Sequence, residues 1–346
     1  MWIAHGFWGR IGRHTLRTYK TKMRVLVTGG CGYIGSQFLR DLPGVKDGTE
    51  LRVRVLDNLQ EGRPEALMGL PDKAEYEFIE GDILDPSVLR AALRDVDSVI
   101  HLAAIVRTPL SFDDPTWVDQ VNHWGTTHLL EACLKEDVQD FVYASSAAVY
   151  GPGGSYDEED PCDPMGAYAT SKHDAEEAVR SAARRGLQTT ILRLGTAYGW
   201  APVARYEAVA NRFALLAGTG RPLTVFGDGS QKRPFIHIQD ASDVLCWALS
   251  NREETKNRTL NAIGQNASVT DLVQAVRQSD PDVEVRRTEQ DVRTHLSFEL
   301  DDEAIRSLGW SPSVNLAEGL EKVIGRLSGF STPTHLAKNS LKDLNV

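Results

Sequence analysis

Cysteine is scarce in this chain. The 346 residues include only 4 cysteines, and these lie far apart, at Cys31, Cys133, Cys162 and Cys246. They form neither a Cys-x-x-Cys pair nor a Cys/His cluster with the spacing of a metal site. We therefore expect free thiols in a reducing, cytoplasmic compartment and predict no bound metal.

Positive charge and long apolar runs are also lacking. The chain has 38 Lys and Arg residues against 48 Asp and Glu residues, for a formal net charge of −10. An acidic protein is a poor non-specific binder of nucleic acid or anionic membranes, so neither is expected as a partner. Because no apolar run reaches the roughly 18 residues of a membrane span, we expect a globular protein with one large α/β domain or two ordinary domains.

The two ends differ from the remainder of the chain. Residues 1–22 contain basic side chains and no Asp or Glu, a composition that transit peptides share. We interpret this segment instead as a disordered extension or an upstream-start artefact before Met23. Residues 328–346 are polar and aperiodic, which predicts a loosely held tail.

Strand and helix patterns alternate from Arg24 onward. Short β-branched runs occupy residues 24–27, 52–56, 76–79, 98–102, 141–144 and 189–192. Helical spacing of apolar residues separates them at 33–42, 86–93, 117–134 and 168–185. Because parallel strands need crossover helices between them, the pattern predicts an α/β fold with a Rossmann-type, doubly wound parallel sheet.

A glycine-rich turn joins the first predicted strand to the first helix. In the run 29–35 (GGCGYIG), Gly29, Gly32 and Gly35 allow a tight turn, close approach of the backbone to a pyrophosphate, and close helix–strand packing. The amino terminus of the helix would present free N–H groups to the phosphates. By itself the motif is equally compatible with an ordinary glycine-rich turn.

Acidic residues after the next two strands favour the dinucleotide interpretation. Asp57 ends the second strand, 22 residues after Gly35, where a carboxylate can accept hydrogen bonds from both ribose hydroxyls. It would also repel a 2′-phosphate, so the predicted cofactor is NAD rather than NADP. Asp82 follows the third strand and has two equally good interpretations, a contact to the adenine or an acid near a helix N-cap.

The spacing of Tyr168 and Lys172 places a phenol and an ammonium on one face of a helix. A tyrosine acts as a base near neutral pH only if a cation stabilises its anion, and Lys172 could supply that cation. Ser146 follows the fifth strand at the edge of the sheet where ligands bind, and it can hydrogen-bond a substrate hydroxyl. The alternative for the Tyr168–Lys172 pair is a surface pair without function.

Taken in order, these motifs resemble those of the NAD-dependent nucleotide-sugar epimerase/dehydratase family, which belongs to the extended short-chain dehydrogenase/reductases. Within this family, the chain is similar to the UDP-glucose 4-epimerases. The resemblance covers about residues 23–325 and rests on 28–36 (TGGCGYIGS), 57–59, 81–82, 101–104 (HLAA), Asn122 with 125–126, 145–151, Tyr168 with Lys172, Arg193 with 198–199, 227–229, 233–240 (RPFIHIQD) and 308–312.

This resemblance implies a cofactor site and a division of the chain. The implied NAD contacts are Gly29, Gly32, Tyr33, Ile34, Gly35, Asp57, Asn58, Asp82, Ile83, Leu102, Ala103, Ala104, Asn122, Tyr168 and Lys172. Asn122 would support the helix that carries the tyrosine. We expect an NAD-binding domain at 23–199 with a returning segment near 234–263, and a smaller mixed α/β substrate lobe formed by 200–233 and 264–327.

In the resembling enzymes, the tyrosine takes a proton from a sugar hydroxyl, usually at C4, while a hydride passes to NAD. Dehydratases of the family carry an Asp-Glu pair just after the serine, and decarboxylases typically carry a nearby glutamate. Here those positions are Ala147 and Ala148, which cannot transfer protons. Epimerisation is therefore the favoured reaction. A reductase or dehydrogenase of keto-sugars is the alternative, and a non-catalytic NAD-binding protein is the least favoured.

The implied substrate is a nucleotide-diphosphate sugar. Arg233 matches the family arginine that pairs with the diphosphate, a role that suits its bidentate guanidinium. Further candidate substrate contacts are Thr108, Ser146, Thr196, Asn211 and Arg293, with Ser111 also near the expected sugar position. The alternative for Asn211 is a helix-surface asparagine, and the alternative for Arg293 is a solvated surface arginine. The family also implies a homodimer formed through helices 117–134 and 167–185.

Overall fold

A computed structural model of the chain describes residues 22–44, 50–106, 114–288 and 297–327, together with Gly329. The segments for which we expected an extension and a polar tail lie almost entirely outside these residues. The described part of the chain contains no helix with the length and hydropathy of a membrane-spanning segment.

Seven parallel strands form the large sheet of the described chain. In spatial order they are β3 (Ala74–Glu80), β2 (Glu50–Asp57), β1 (Lys22–Thr28), β4 (Ser98–His101), β5 (Asp140–Ser146), β7 (Gln188–Leu194) and β11 (Arg258–Ala262). The predicted doubly wound parallel sheet is confirmed. The strand order reverses at β1, between β2 and β4, and ligands of open α/β sheets bind at the carboxyl ends of the strands at such a point.

Helices cover both faces of this sheet. One face packs against α1 (Tyr33–Asp41) and α7 (Ile238–Ser250), and the other against α2 (Pro86–Ala92), α4 (Gly125–Lys135) and α5 (Gly166–Arg184). In β1, Val25 and Val27 belong to the first core and Leu26 to the second, and all three are fully buried. Each buried side chain of this size contributes about 1.5–3 kcal/mol. Burial on both faces explains why the central strands, such as β4 and β5, read as continuous apolar runs, whereas the edge strand β3 has no buried residue.

The helix expected at 117–134 is interrupted. It begins as α3 (Pro115–Asp119), passes through a π-helical turn (Gln120–Trp124) and continues as α4. Asp114 caps its start by accepting a 3.0 Å hydrogen bond from Trp117 N, and Pro115 occupies the first helical position. The π turn buries Asn122, which is 1 % exposed.

A second core lies in the other part of the chain. It is formed by α6 (Val209–Gly218), α9 (Val269–Ser279) and α11 (Leu316–Leu327), beside a three-stranded sheet of β8 (Thr196–Tyr198), β10 (Lys232–His237) and β12 (Gln265–Ser268). The shorter elements are β6 (Ser155–Tyr156), β9 (Leu223–Phe226), β13 (Val285–Thr288), β14 (Glu299–Leu300), α8 (Arg252–Thr255) and α10 (Glu303–Ser307). The bounds of the two lobes remain our interpretation.

Candidate active site

The glycine turn lies at the carboxyl end of β1, where the strand order reverses. Gly29 has φ +71°, and a Cβ there would lie 2.5 Å from Ala103 N, so the fold itself requires glycine. A Cβ at Gly35 would lie 2.6 Å from Gly29 O. A Cβ at Gly32 would lie 3.3 Å from Gly29 O, a tight contact but a longer one than at Gly29 or Gly35, so the protein's own packing restricts this position less strictly. The lack of a side chain at Gly32 fits close approach of a diphosphate.

Helix α1 begins directly from this turn. Its N-cap is Gly32, which has no side chain to bind the first backbone N–H groups. The first intrahelical bond runs from Ser36 N to Gly32 O at 2.9 Å. The backbone N–H groups in the first turn of α1 belong to the predicted contacts Tyr33, Ile34 and Gly35, and they are positioned to bind an anion.

The Asp57 carboxylate is held beside the turn. Its Oδ2 accepts a hydrogen bond from Cys31 N and its Oδ1 accepts one from Leu59 N, both at 2.9 Å. A Cβ at Gly62 would lie 2.6 Å from Oδ1, so the loop can close over this group only with glycine there. Burial raises the pKa of Asp57 and the two backbone donors lower it. Each carboxylate oxygen keeps acceptor capacity for a ribose hydroxyl.

Asp82 is not the N-cap of α2. That cap is Asp85, whose Oδ1 accepts hydrogen bonds from Ser87 N and Val88 N. Asp82 instead accepts a 2.9 Å hydrogen bond from Asn58 Nδ2 and a 2.8 Å bond from Leu84 N. This pairing joins the loops after β2 and β3 at one edge, and the adenine contact of Asp82 stays a prediction.

Leu102, Ala103 and Ala104 follow β4 and are partly buried beside the glycine turn. Leu102 N donates a 3.0 Å hydrogen bond to Thr28 O, which keeps the segment aligned with β1. Ile83 is 5 % exposed, and its Cδ1 would lie 2.6 Å from a Cβ at Gly125. The NAD contacts assigned to these residues stay predictions.

His101 is a neutral structural residue beneath the site. Thr126 donates its hydroxyl hydrogen to Asn122 O at 2.6 Å, so it accepts a hydrogen from His101 Nε2 at 2.8 Å. His101 Nδ1 then accepts from Thr28 Oγ1 at 2.6 Å. Burial, with a smaller effect from the charge of Lys172, lowers the pKa of His101 to about 3. His101 therefore does not compete with Tyr168 as a base.

Asn122 connects the segment after β4 to α5. Its Oδ1 accepts from Ile105 N at 2.7 Å, and its Nδ2 donates to Ile105 O at 3.0 Å and to Ser171 Oγ at 3.1 Å. Ser171 Oγ in turn donates to Tyr168 O at 2.9 Å. These bonds place Asn122 where it supports the turn of α5 that carries Tyr168, and its contact with NAD stays a prediction.

Ser146 and Tyr168 meet where β5 ends and α5 begins. Ser146 Oγ accepts a 3.2 Å hydrogen bond from Ala148 N, so its hydroxyl hydrogen can be donated to the Tyr168 oxygen. Burial raises the pKa of Tyr168, while this hydrogen bond and the charge of Arg205 lower it. The geometry suits a phenol that gains and loses a proton.

Lys172 lies one helical turn beyond Tyr168 and is 3 % exposed. Its Nζ is 4.2 Å from the centroid of the Tyr143 ring. Burial lowers the pKa of Lys172 to about 7, and the charge of Glu176 opposes this shift. The balance between burial and the charge of Glu176 therefore decides whether Lys172 is an ammonium near Tyr168 at neutral pH.

Arg205 is a candidate that the sequence patterns missed. It lies in the irregular segment between β8 and α6, where its Nη2 donates a 3.4 Å hydrogen bond to Val106 O. Its charge lowers the pKa of both Tyr33 and Tyr168, which places it near these two side chains. The available signal was an arginine shortly after Tyr198 and Gly199, but no periodicity marked it.

Asn211 is buried rather than on a helix surface. Its Oδ1 accepts from Gly199 N at 2.8 Å, and its Nδ2 donates to Tyr33 Oη at 3.1 Å and Arg205 O at 2.8 Å. Our surface alternative for Asn211 is therefore wrong. Its contacts join α6 to Tyr33 beside the glycine turn and to the segment after β8, and direct contact with substrate stays a prediction.

Arg233 and Thr196 lie on adjacent strands, β10 and β8, of the three-stranded sheet. Arg233 Cζ is 5.6 Å from the Phe298 ring centroid, and burial lowers the pKa of this arginine to about 10. Thr196 is exposed. Three further predicted residues, Thr108, Ser111 and Arg293, lie outside the described residues.

Comparison with known proteins decides the family. Residues 25–263 match the NAD dependent epimerase/dehydratase family. The chain belongs to this family. The resemblance that we drew from the motifs is confirmed, and NAD is the cofactor of this family, consistent with the cradle at Gly32 and Asp57.

Relatives of this family member include both reaction types. A putative UDP-glucose 4-epimerase of Methanocaldococcus jannaschii is 30 % identical over 311 residues, which are 87 % of this chain and 97 % of the relative. The mouse dTDP-D-glucose 4,6-dehydratase is 31 % identical over 317 residues, 87 % of each chain. The crystal structure of a Bacillus cereus UDP-glucuronic acid 4-epimerase with UDP-glucuronic acid and NAD superposes with a TM-score of 0.79 at 27 % identity, covering 89 % of this chain and 99 % of that chain.

Proposed function

We propose that this family member epimerises a nucleotide-diphosphate sugar at C4, through a transient 4-keto sugar, with a UDP-hexose or UDP-hexuronate as substrate. Relatives that act on such sugars support the substrate class. The arrangement of Ser146, Tyr168 and Lys172 at the end of β5 supports proton transfer at a sugar hydroxyl.

The protein's residues would divide the work as follows. The glycine turn and Asp57 would hold NAD, and bound NAD would supply a reversible acceptor for hydride at the sugar carbon. The Tyr168 oxygen would take the proton of the sugar hydroxyl and later return it. The Lys172 ammonium would stabilise the phenolate, while the Ser146 hydroxyl would orient the sugar hydroxyl and share its proton. Positioning and matched pKa values therefore carry the reaction, without a covalent intermediate.

The observation that favours epimerisation over dehydration is the turn directly after Ser146. Ala147 and Ala148 begin the 3₁₀ turn Ala147–Tyr150, at the positions where the resembling dehydratases carry an Asp-Glu pair. Elimination of water across C5–C6 needs an acid and a base near those carbons, and alanine is neither. A transferred hydride that returns to the other face of the ketone needs no such pair.

The test is proton NMR of the purified protein with UDP-glucose and, separately, with UDP-glucuronate, without added NAD. We expect the anomeric signal of the galacto-configured product to appear and to continue through many turnovers. Tyr168→Phe is the matched control, because it removes one oxygen atom and should retain NAD.

The other outcomes are distinguishable in the same spectra. A new methyl doublet would indicate a 4-keto-6-deoxy product and would contradict the epimerase proposal. No reaction with either donor, from protein that carries NAD, would reject both donors for C4 epimerisation. Conversion of a keto-sugar at the expense of one reduced cofactor per product would favour the reductase alternative.

We also propose that two copies pair through α4 and α5 and that the enzyme works in the cytoplasm. Trp124, at the end of the π turn before α4, is 51 % exposed, which is unusual for so large an apolar side chain. Sedimentation analysis of the wild type and of Trp124→Ala would test the pairing, since the variant should shift the chain toward a monomer.

A further inference from the structure

Glu176 is a carboxylate near the site that accepts four hydrogen bonds, and the proposed reaction does not use it. It lies on α5 one turn beyond Lys172 and has no exposed surface. Its Oε1 accepts hydrogen bonds from Ser145 Oγ at 2.6 Å and Arg193 Nε at 3.0 Å. Its Oε2 accepts from Arg193 Nη2 at 2.8 Å and Arg180 Nη2 at 2.7 Å.

These partners keep the carboxylate ionised. Burial raises the pKa of Glu176, but the hydrogen bonds and charge of Arg193, with Ser145 and Arg180, hold it below its usual value. A buried carboxylate is tolerated only when it is paired and hydrogen-bonded in this way. Glu176 therefore carries a negative charge at the base of the helix turn that holds Lys172.

Within the described residues, Glu176 is the charge that raises the pKa of Lys172, and the other groups around this lysine are neutral or paired. Tyr143, from β5, presents its ring to the ammonium, and the fully buried position raises the pKa of its hydroxyl. His101, from β4, is neutral. Tyr168, one turn before Lys172 on α5, is a phenol whose pKa is raised by burial. The positive charges of Arg193, on β7, and Arg180, on α5, are directed to Glu176 itself.

Two adjacent serines connect β5 to different turns of α5. Ser146 bonds to Tyr168, while Ser145 bonds to Glu176. The two contacts are eight residues apart on α5, so they fix the helix along its axis as well as in rotation. The register of α5 against β5 decides where the Tyr168 oxygen lies relative to Ser146.

We propose that Glu176 is a positioning residue that keeps Lys172 protonated and holds α5 in register with β5, so that an ammonium is present beside Tyr168 at working pH. Its catalytic consequence rests on the proposed function, but its effect on Lys172 does not. The charge of Glu176 acts through one helical turn, in surroundings where water cannot replace it.

The experiment measures the titration of Lys172 directly. Holoenzyme with ¹³Cε-labelled lysine is titrated by NMR, and the Lys172 signal is assigned by its loss in Lys172→Met. In Glu176→Gln, we expect the midpoint of Lys172 to fall by about one pH unit. Glu177→Gln is the matched control, because it makes the same charge change at the neighbouring, largely exposed position and should leave the midpoint in place.

An activity profile provides the second readout. Because Lys172 would lose its proton at lower pH, Glu176→Gln should lower kcat at alkaline pH and move the alkaline limb of the kcat profile to lower pH. KM should stay nearly unchanged, because Glu176 is fully buried among protein groups. Glu176→Asp, which retains the charge, should restore most of the Lys172 midpoint. A purely structural role would change kcat equally at every pH.

The contradicting results are specific. A folded Glu176→Gln whose Lys172 midpoint is unchanged would overturn the proposal. If the unpaired Arg193 prevents that variant from folding, the double variant Glu176→Gln/Arg193→Gln is compared with Arg193→Gln alone. These two proteins differ only in the charge at position 176, and equal Lys172 midpoints in them overturn the proposal equally. A lowered midpoint in a protein that converts no sugar would support the role of Glu176 and count against the epimerase.

Discussion

The Lys172 Nζ lies 4.2 Å from the centroid of the Tyr143 ring, inside the protein. A cation over an aromatic face gains about 2 kcal/mol when both are desolvated, which offsets only part of the cost of removing an ammonium from water. The lowered pKa of Lys172 reflects the remaining cost. A residue that destabilises the fold at the reaction centre is expected to contribute to the reaction instead of to stability.

Replacing this lysine should therefore stabilise the protein. Between pH of about 7 and the ordinary lysine pKa of about 10.4, the unfolded chain binds more protons at this position than the folded chain. The free energy of unfolding of the wild type should rise with pH across that window. We expect Lys172→Met to lose this slope, to gain roughly 1–4 kcal/mol at neutral pH and to lose activity.

Urea unfolding at pH 6, 8 and 10 measures this effect. Lys322→Met, at an exposed position on α11, is the control and should keep the slope of the wild type. A Lys172→Met protein that is less stable than the wild type at pH 6 would show that the buried ammonium does not oppose folding.

Tyr168→Phe should abolish turnover and leave NAD bound. The substitution removes only the oxygen that accepts the sugar proton, and loss of a general base typically costs about 10²–10⁴ in rate. The measurement is kcat with the donor identified by NMR, together with the NAD content of the purified variant. Tyr156→Phe, whose hydroxyl donates to Pro152 O, should retain activity. Unchanged turnover in Tyr168→Phe would rule out the proposed mechanism.

Two glycines of the turn should respond differently to alanine. Gly32→Ala keeps ordinary backbone geometry and places its Cβ 3.3 Å from Gly29 O, a tight contact, so it should destabilise the fold less than Gly29→Ala does. NAD affinity should nevertheless fall at least about tenfold, because the methyl group occupies the space for the diphosphate. Gly29→Ala places a Cβ 2.5 Å from Ala103 N at positive φ, so it should destabilise the fold itself. Melting curves and NAD titrations separate the two effects, and equal behaviour of the two variants would show that Gly32 has no separate role in binding the diphosphate.

Removing the charge of Arg205 should move the acid limb of the kcat/KM profile to higher pH. Burial raises the pKa of Tyr168 and Arg205 lowers it, so Arg205→Gln should raise the pKa of the base further. The acid limb of kcat/KM should shift to higher pH, by up to about one unit. Arg212→Gln, on α6, provides the same charge change as a control. An acid limb that stays in place in Arg205→Gln would show that this arginine does not act on Tyr168.

Most of the large sheet could be predicted because its central strands are buried on both faces. The run predicted at 24–27 is the centre of β1 (Lys22–Thr28), and that at 189–192 is the centre of β7 (Gln188–Leu194). Apolar and β-branched runs ended by Gly or Asp mark such strands locally. The π turn at Asn122 could not be predicted, because an extra residue within a helix leaves no distinct local pattern.

The site divides in the same way. The glycine turn, Asp57, Ser146 and the Tyr168–Lys172 pair were predicted because each is a local motif at the end of a strand or on one helix face. Arg205, by contrast, lies in an irregular segment, and its effect on Tyr168 follows only from the path of the chain in space.

The amino-acid sequence by itself therefore determined the family, the doubly wound sheet and the chemical groups present at its edge, since these depend on residue types at short spacing. Only the tertiary structure decided the charge state of those groups. The Glu176–Arg193 pair joins α5 to β7, and the burial of Lys172 depends on Tyr143 from β5. Electrostatic energies depend on distance and on exclusion of water, and neither quantity is contained in the order of residues along the chain.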